Sequence, residues 1–234
     1  MAGLKNYIIY ILILGLFSQC KKNPVNGGGY ISQPAVQKTY LALGDSYTIG
    51  QSVPENDRFP VQTKNLLAAL GINFQAPEII AATGWTTQNL MNAINAQNFA
   101  HTYDVVSLLI GVNDQYQTHD TTNYRSRFTG LLIKSIELAG GNRNHVFVLS
   151  IPDYSVTPFA GQSDTAMISR QIDLFNMINK EVTTAYLCNY IDITPSTRMA
   201  RFDPTLLAND GLHPSGKEYS KWATWLAEAI KQKL

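Results

Sequence analysis

A serine directly behind an apolar run, and a carboxylate three residues before a histidine, are the residues of this chain best suited by type to do chemistry. Gly44-Asp45-Ser46 follows Tyr40-Leu41-Ala42-Leu43, and Asp210-Gly211-Leu212-His213 lies near the C-terminus. A serine hydroxyl is a weak nucleophile until an imidazole takes its proton, and that imidazole needs a partner to hold its tautomer. The Asp-x-x-His spacing lets one short turn set the carboxylate against one ring nitrogen while the other faces outward. Ser46, His213 and Asp210 could therefore transfer an acyl group, provided the chain folds back to join its two ends. As plain turn residues, Gly-Asp-Ser is an ordinary N-cap sequence, and Pro214-Ser215 would cap the last helix in any case.

Two further positions could meet the negative charge that acyl transfer develops. Gly84, in Ala82-Thr83-Gly84-Trp85, offers a backbone N–H unshielded by a side chain, or simply a turn before a threonine N-cap. Asn113, in Gly111-Val112-Asn113-Asp114, has a side-chain amide that can donate to an oxyanion, although turn asparagines are usually structural. Asp45 is expected to tie the serine turn together and Asp114 to fix its own loop. Asp153, Tyr154, Trp85, Tyr116, Phe159, Phe202, Leu206 and Leu207 are pocket walls by position, at least half of them plain packing residues. His101, His119 and His145 are scattered without ligand spacing, so neither a metal nor a cofactor is expected.

The elements that must hold these residues alternate. Short apolar runs predict strands at Tyr40–Leu43, Glu78–Ala82, Val105–Ile110, Val146–Ile151 and Tyr190–Ile193. Helical spacing predicts helices at Phe59–Leu70, Asn89–Ala96, Phe128–Leu138, Met167–Tyr186 and Tyr219–Ile230, with Gly71 and Gly140-Gly141 as stops. Such alternation implies crossover connections and a mainly parallel sheet, hence an α/β fold: a three-layer α/β/α sandwich of about five strands. Ligands of such sheets bind beyond the carboxyl ends of the strands. Ser46, Gly84, Asn113, Asp153, Asp210 and His213 all follow strands.

The N-terminus reads differently. Lys5 precedes eleven apolar residues, Tyr7 to Phe17, and then Ser18-Gln19-Cys20. About 20 apolar residues are needed to span a bilayer, whereas eleven suit the core of a secretory signal. The alternative is a short anchor that is never cleaved. Cys20 at the end of the segment resembles the lipobox of bacterial lipoproteins, whose cysteine is acylated and becomes the new N-terminus; Gln19 stands where that pattern carries a small residue. A disulfide between Cys20 and Cys188 is the rival, weakened because Ala185-Tyr186-Leu187-Cys188 reads as core. The organisation expected is a signal peptide at 1–19, a glycine-rich, lipid-anchored tether at 20–37 and one domain at 38–234 of the 234 residues. The chain carries 18 Lys and Arg against 17 Asp and Glu. Loss of residues 1–19 removes Lys5 and no acid, leaving formal neutrality, which argues against nucleic acid as a partner.

Together the Ser46, Gly84, Asn113 and Asp210–His213 blocks resemble the SGNH hydrolase superfamily, the GDSL lipases and esterases, in order and across the domain from about Tyr40 onward. The resemblance implies a flavodoxin-like α/β/α fold and a serine hydrolase that cleaves carboxylic esters through an acyl-enzyme. It implies Ser46 as nucleophile, His213 as base and Asp210 as its orienter. The N–H groups of Ser46 and Gly84 and the side chain of Asn113 would form the oxyanion hole. Tyr47 replaces the leucine of the family name, and Ala81-Ala82 replaces the usual glycine or asparagine before Gly84. The expected substrate is a small acyl ester, a lysophospholipid or an acetylated glycan; the carbohydrate O-acetylesterase is the alternative within the class. A non-catalytic surface binding protein is the alternative outside it. The lipoprotein pattern places the chain, exported, on a bacterial envelope membrane. The oligomeric state stays open.

Overall fold

Among the described residues, large aliphatic and β-branched side chains in runs closed by turn residues form five strands: β1 (Tyr40–Asp45), β2 (Glu78–Ala82), β3 (Val105–Leu109), β4 (Val146–Leu149) and β5 (Asn189–Ile191). The computed structural model describes Met1, Gly3 and residues 37–234. The expectations for the signal segment, for Cys20 and for nearly all of the tether lie outside the described residues.

All strand pairs are parallel, in the order β2-β1-β3-β4-β5. Strands β1, β3 and β4 are buried at every position, as a sheet covered on both faces requires, while edge strands β2 and β5 are only partly buried. Each fully buried Leu or Phe there, such as Leu41, Leu43, Leu108 and Phe147, contributes about 1.5–3 kcal/mol. The chain leaves β1 for β2 on one side and reaches β3 on the other, so a crevice opens between the ends of β1 and β3.

Two helical layers cover the sheet. Helix α2 (Phe59–Ala69) packs on the C-terminal helix α8 (Gly216–Lys231). Phe59, Tyr219 and Trp222 form their ring cluster, with centroids 5.0–6.3 Å apart. Helices α3 (Thr87–Asn95), α5 (Tyr124–Leu138) and α6 (Thr165–Ala185) pack side by side as a second layer. Tyr124 joins two of them by donating its hydroxyl proton to Asn179 Oδ1 at 2.7 Å. Among the described residues no helix is long and apolar enough to cross a membrane.

The expected elements are present with shifted ends. Helix α3 starts two residues early because Thr86 and Asn89 form a capping box, and α6 does so because Asp164 accepts from Met167 N–H at 2.9 Å. Strands β3 and β4 stop before Ile110 and Ile151, which stay buried in the loops beyond. Three short helices escape apolar periodicity: α1 (Ser46–Ile49), the polar α4 (Val112–Thr118) and α7 (Thr194–Thr197). The stretch Ala185–Cys188 is core only in part: Tyr186 and Cys188 are half-buried against the core while Leu187 is 70% exposed, and among the described residues Cys188 has no disulfide partner.

Candidate active site

Ser46 is the first residue of α1, straight after β1. Asp45 caps that helix by accepting from Tyr47 N–H at 3.0 Å, which ties the serine turn as expected. Gly44 is required by close approach rather than by its dihedrals. A Cβ there would lie 2.1 Å from Thr48 Oγ1 and 2.4 Å from the Leu109 carbonyl, so any side chain would force α1 away from the sheet.

The distant histidine reaches this serine. His213 Nε2 stands 3.0 Å from Ser46 Oγ, and His213 Nδ1 stands 2.6 Å from Asp210 Oδ2. The segment around His213 is stapled back on itself. Ala208 N–H donates to the His213 carbonyl and Ser215 N–H to the Leu206 carbonyl, both at 2.8 Å. Asp210 Oδ1 accepts from the N–H groups of Leu212 and His213 at 3.0 Å. Partial burial pushes the Asp210 carboxyl up, but the hydrogen bonds from Ser52, His213 and these two N–H groups outweigh it. They hold the carboxyl well below the usual carboxylate range. Asp210 is thus an acceptor at any neutral pH, which fixes the proton of the neutral imidazole on Nδ1 and leaves Nε2 free to accept from Ser46. Tyr47 packs on the imidazole with ring centroids 5.0 Å apart. The residue in the family's leucine position is therefore a wall of the histidine, which sequence comparison by motif did not reveal.

Sheet register brings the donors alongside. Asp45 pairs with Ala82, so Ser46 and Gly84 follow adjacent strand ends; Gly44 pairs with Leu109, which brings Gly111–Asn113 to the other side. Gly84 has φ +79, a conformation L side chains rarely adopt, and nothing lies within 4 Å of where a Cβ would be. Its N–H makes no hydrogen bond among the described residues, while its carbonyl accepts from Gln117 Nε2 at 3.0 Å. Asn113 Nδ2 donates one proton to the Trp85 carbonyl at 3.1 Å, and an amide nitrogen carries a second.

Several expectations are corrected. Asp114 does not fix its own loop. Fully buried, it takes the N–H and hydroxyl of Thr87 at 2.8 and 2.6 Å and Arg127 Nη2 at 3.2 Å, and so joins α4 to α3 and α5. Asp153 does not line the pocket at Ser46; with Leu206 and Leu207 it borders an adjoining cavity against Tyr47 and Tyr154. Burial raises its carboxyl, but donors from Ser155, Ser169 and Arg198 pull it below its usual value, making it a buried structural acceptor. Phe202 is 75% exposed and, like Trp85, Leu206 and Leu207, does not line the pocket at Ser46. Tyr116, Tyr154 and Phe159 do line it, with Tyr47, Val112 and Leu212. Their rings form a triangle with centroids 5.9–6.2 Å apart, and the pocket beneath has a volume of about 80 Å³. Among the described residues no three His, Cys, Asp or Glu side chains stand where they could hold a metal ion.

Fold and site define a class: α/β/α hydrolases with a serine at the end of the first strand. The chain belongs to the GDSL-like lipase/acylhydrolase family, whose model matches residues 42–232, and is a carboxylic ester hydrolase of that kind. A lipase/acylhydrolase from Enterococcus faecalis superposes with a TM-score of 0.65 at 21% identity, covering 85% of this chain and 97% of that one. An esterase from Pseudoalteromonas gives 0.63 at 17%, with 84% and 98% covered. An acetylxylan esterase from Geobacillus stearothermophilus gives 0.60 at 19%, with 82% and 94% covered. At these identities the likenesses show the fold. Comparison with curated protein sequences gives no match.

Proposed function

We propose that Ser46 is the nucleophile of a short-chain O-acylesterase, acetyl esters first, working through an acyl-enzyme. The observation that carries this reading is the continuous chain from Ser46 Oγ through His213 to Asp210, at 3.0 and 2.6 Å. Ser46 Oγ bonds to the ester carbonyl carbon as its proton passes to His213 Nε2, and Asp210 stabilises the imidazolium that forms. The carbonyl π electrons move to oxygen, and the N–H groups of Ser46 and Gly84 with the Asn113 amide receive that charge. Collapse breaks the C–O bond, and the leaving alkoxide takes the proton from His213. A water molecule then repeats the sequence on the acyl-serine and frees the acid.

The substrate reading is supported by size. A cavity of about 150 Å³ holds benzene, so a pocket of about 80 Å³ fits an acetyl or propionyl group more closely than the long acyl chain of a lysophospholipid. Exposed Tyr116 and Phe159 rings at the mouth suit a sugar as the alcohol. An acetylxylan esterase with this fold lends further support to an acetylated glycan. The test is hydrolysis of p-nitrophenyl esters from acetate to octanoate, with acetylated xylan and a monoacyl phospholipid in parallel and Ser46→Ala as control. Fastest turnover on acetate, loss of at least about 10⁴-fold in the variant and no phospholipid cleavage are expected. Octanoate as the best substrate would sink the acyl-size reading. Turnover in neither series would favour a glycan-binding protein that keeps the fold.

Export completes the proposal. The segment 1–19 directs secretion, and Cys20, acylated, tethers the enzyme to an envelope membrane through residues 20–37. The support is the eleven-residue apolar length and the cysteine at its end.

A further inference from the structure

The turn after α1 reaches toward both halves of the site. Gly50 and Gln51 N–H both bond to the carbonyl of Ser46, the latter at 3.0 Å, so this turn is held by the nucleophile's own residue. Ser52 then adopts φ +68, a region where non-glycine residues other than Asn and Asp are uncommon. From there its hydroxyl donates to Asp210 Oδ2 at 2.6 Å, across 158 positions of chain. Ser52 is exposed and makes no other side-chain hydrogen bond among the described residues, so packing does not account for its conformation. The neighbouring Gln51 Oε1 accepts from Thr83 Oγ1 at 2.5 Å, one residue before Gly84.

We propose that Gln51 and Ser52 are positioning residues, a brace that aligns the Asp210 carboxylate and the Gly84 turn with the serine between them. This rests on the reading of Ser46, His213 and Asp210 as a catalytic chain. The carboxylate geometry gives the reason. Oδ1 of Asp210 is held by two backbone N–H groups of its own turn, whereas Oδ2 meets only His213 and Ser52. Without the Ser52 hydroxyl, Oδ2 loses the donor that is independent of the imidazole, and the carboxylate can rotate about its terminal torsion. His213 then loses orientation in the transition state, where its charge appears, more than in the ground state. Loss of the Gln51–Thr83 bond would loosen the approach of Gly84 N–H to the oxyanion in the same selective way.

Ser52→Gly is the discriminating variant, because glycine takes φ +68 without strain and folding is not put at risk. Steady-state kinetics on p-nitrophenyl acetate and thermal unfolding of the full chain would be run beside Gln51→Ala and Ser46→Ala. In Ser52→Gly, kcat should fall about tenfold or more, as for loss of a hydrogen bond to a charged group, with KM within about twofold and Tm undiminished. Gln51→Ala should lower kcat about threefold, also with KM retained. Unchanged kcat in Ser52→Gly, or a loss that follows a drop in Tm, would overturn the brace. Persisting turnover in Ser46→Ala would instead remove the catalytic reading beneath it, so the two failures are distinguishable.

Discussion

At the scale of single residues, the site combines groups whose charge states are set by opposite environments. Asp210 keeps its charge because four donors converge on it; Asp45, one residue before Ser46, is fully buried with one carboxylate oxygen lacking a partner. Burial is the main force pushing the Asp45 carboxyl up from 3.8 to about 8, with the Asp114 charge adding to it against the Tyr47 N–H. The sign of the consequence is fixed by linkage. Between those values the unfolded chain is ionised while the native state keeps its proton, so the native state binds more protons and stability falls as pH rises. The contribution of Asp45 is full below about 3.8 and is lost as pH rises through about 8. Asp45→Asn should therefore flatten the fall in Tm between pH 5 and pH 8.5, measured by differential scanning calorimetry; an unchanged slope would refute the assignment. At the oxyanion, Asn113→Ala should cost about 10²–10³ in kcat with little change in KM, since its free amide proton meets charge only in the transition state. The types and order of Ser46, Gly84, Asn113, Asp210 and His213 were legible in the chain because acyl transfer admits few alternatives to them. Tyr47 against the imidazole and Ser52 on Asp210 were not, because neither residue type signals its partner.

At the scale of elements, one loop and one short helix wall the pocket at Ser46. Residues 154–160 carry Tyr154 and Phe159 and are tied to the catalytic turn, where Phe159 N–H donates to the Gly211 carbonyl at 3.3 Å. With Tyr116 from α4 they line the pocket at Ser46. Phe159→Ala should move the best p-nitrophenyl ester from acetate toward butyrate or hexanoate without lowering turnover of acetate more than a few-fold, read as kcat/KM against chain length. Helix α4 itself depends on Asp114, whose removal leaves Thr87 and Arg127 without their shared acceptor. Asp114→Ala should destabilise the fold by about 3 kcal/mol, measured by urea unfolding. Strands β1, β3 and β4 were readable in advance because they are buried on both faces and so are mostly apolar. Helix α4 was not, because its seven residues, Val-Asn-Asp-Gln-Tyr-Gln-Thr, lack an apolar stripe and are held by Asp114 rather than by a hydrophobic face.

At the scale of the whole molecule, strand order creates the site. Running β1 to β2 on one side and to β3 on the other leaves the ends of β1 and β3 splayed, and the serine and the asparagine stand on the two lips. The last loop before α8 then delivers the histidine from 167 positions away. The proposed anchor makes a prediction at this scale too: Cys20→Ser should shift the protein from the membrane to the soluble fraction on cell fractionation. Continued membrane partition would assign the anchor to the apolar segment itself. By itself the amino-acid order determined the alternation of strands and helices, hence the parallel sandwich, and which residues are candidates to react, because buried runs and reactive side chains are local properties. Tertiary structure alone decided that Ser46 and His213 lie 3.0 Å apart, that Asp153 is held by Arg198 and that three rings line the pocket at Ser46. Those outcomes depend on register and on contacts between residues far apart in the chain, which no local pattern encodes.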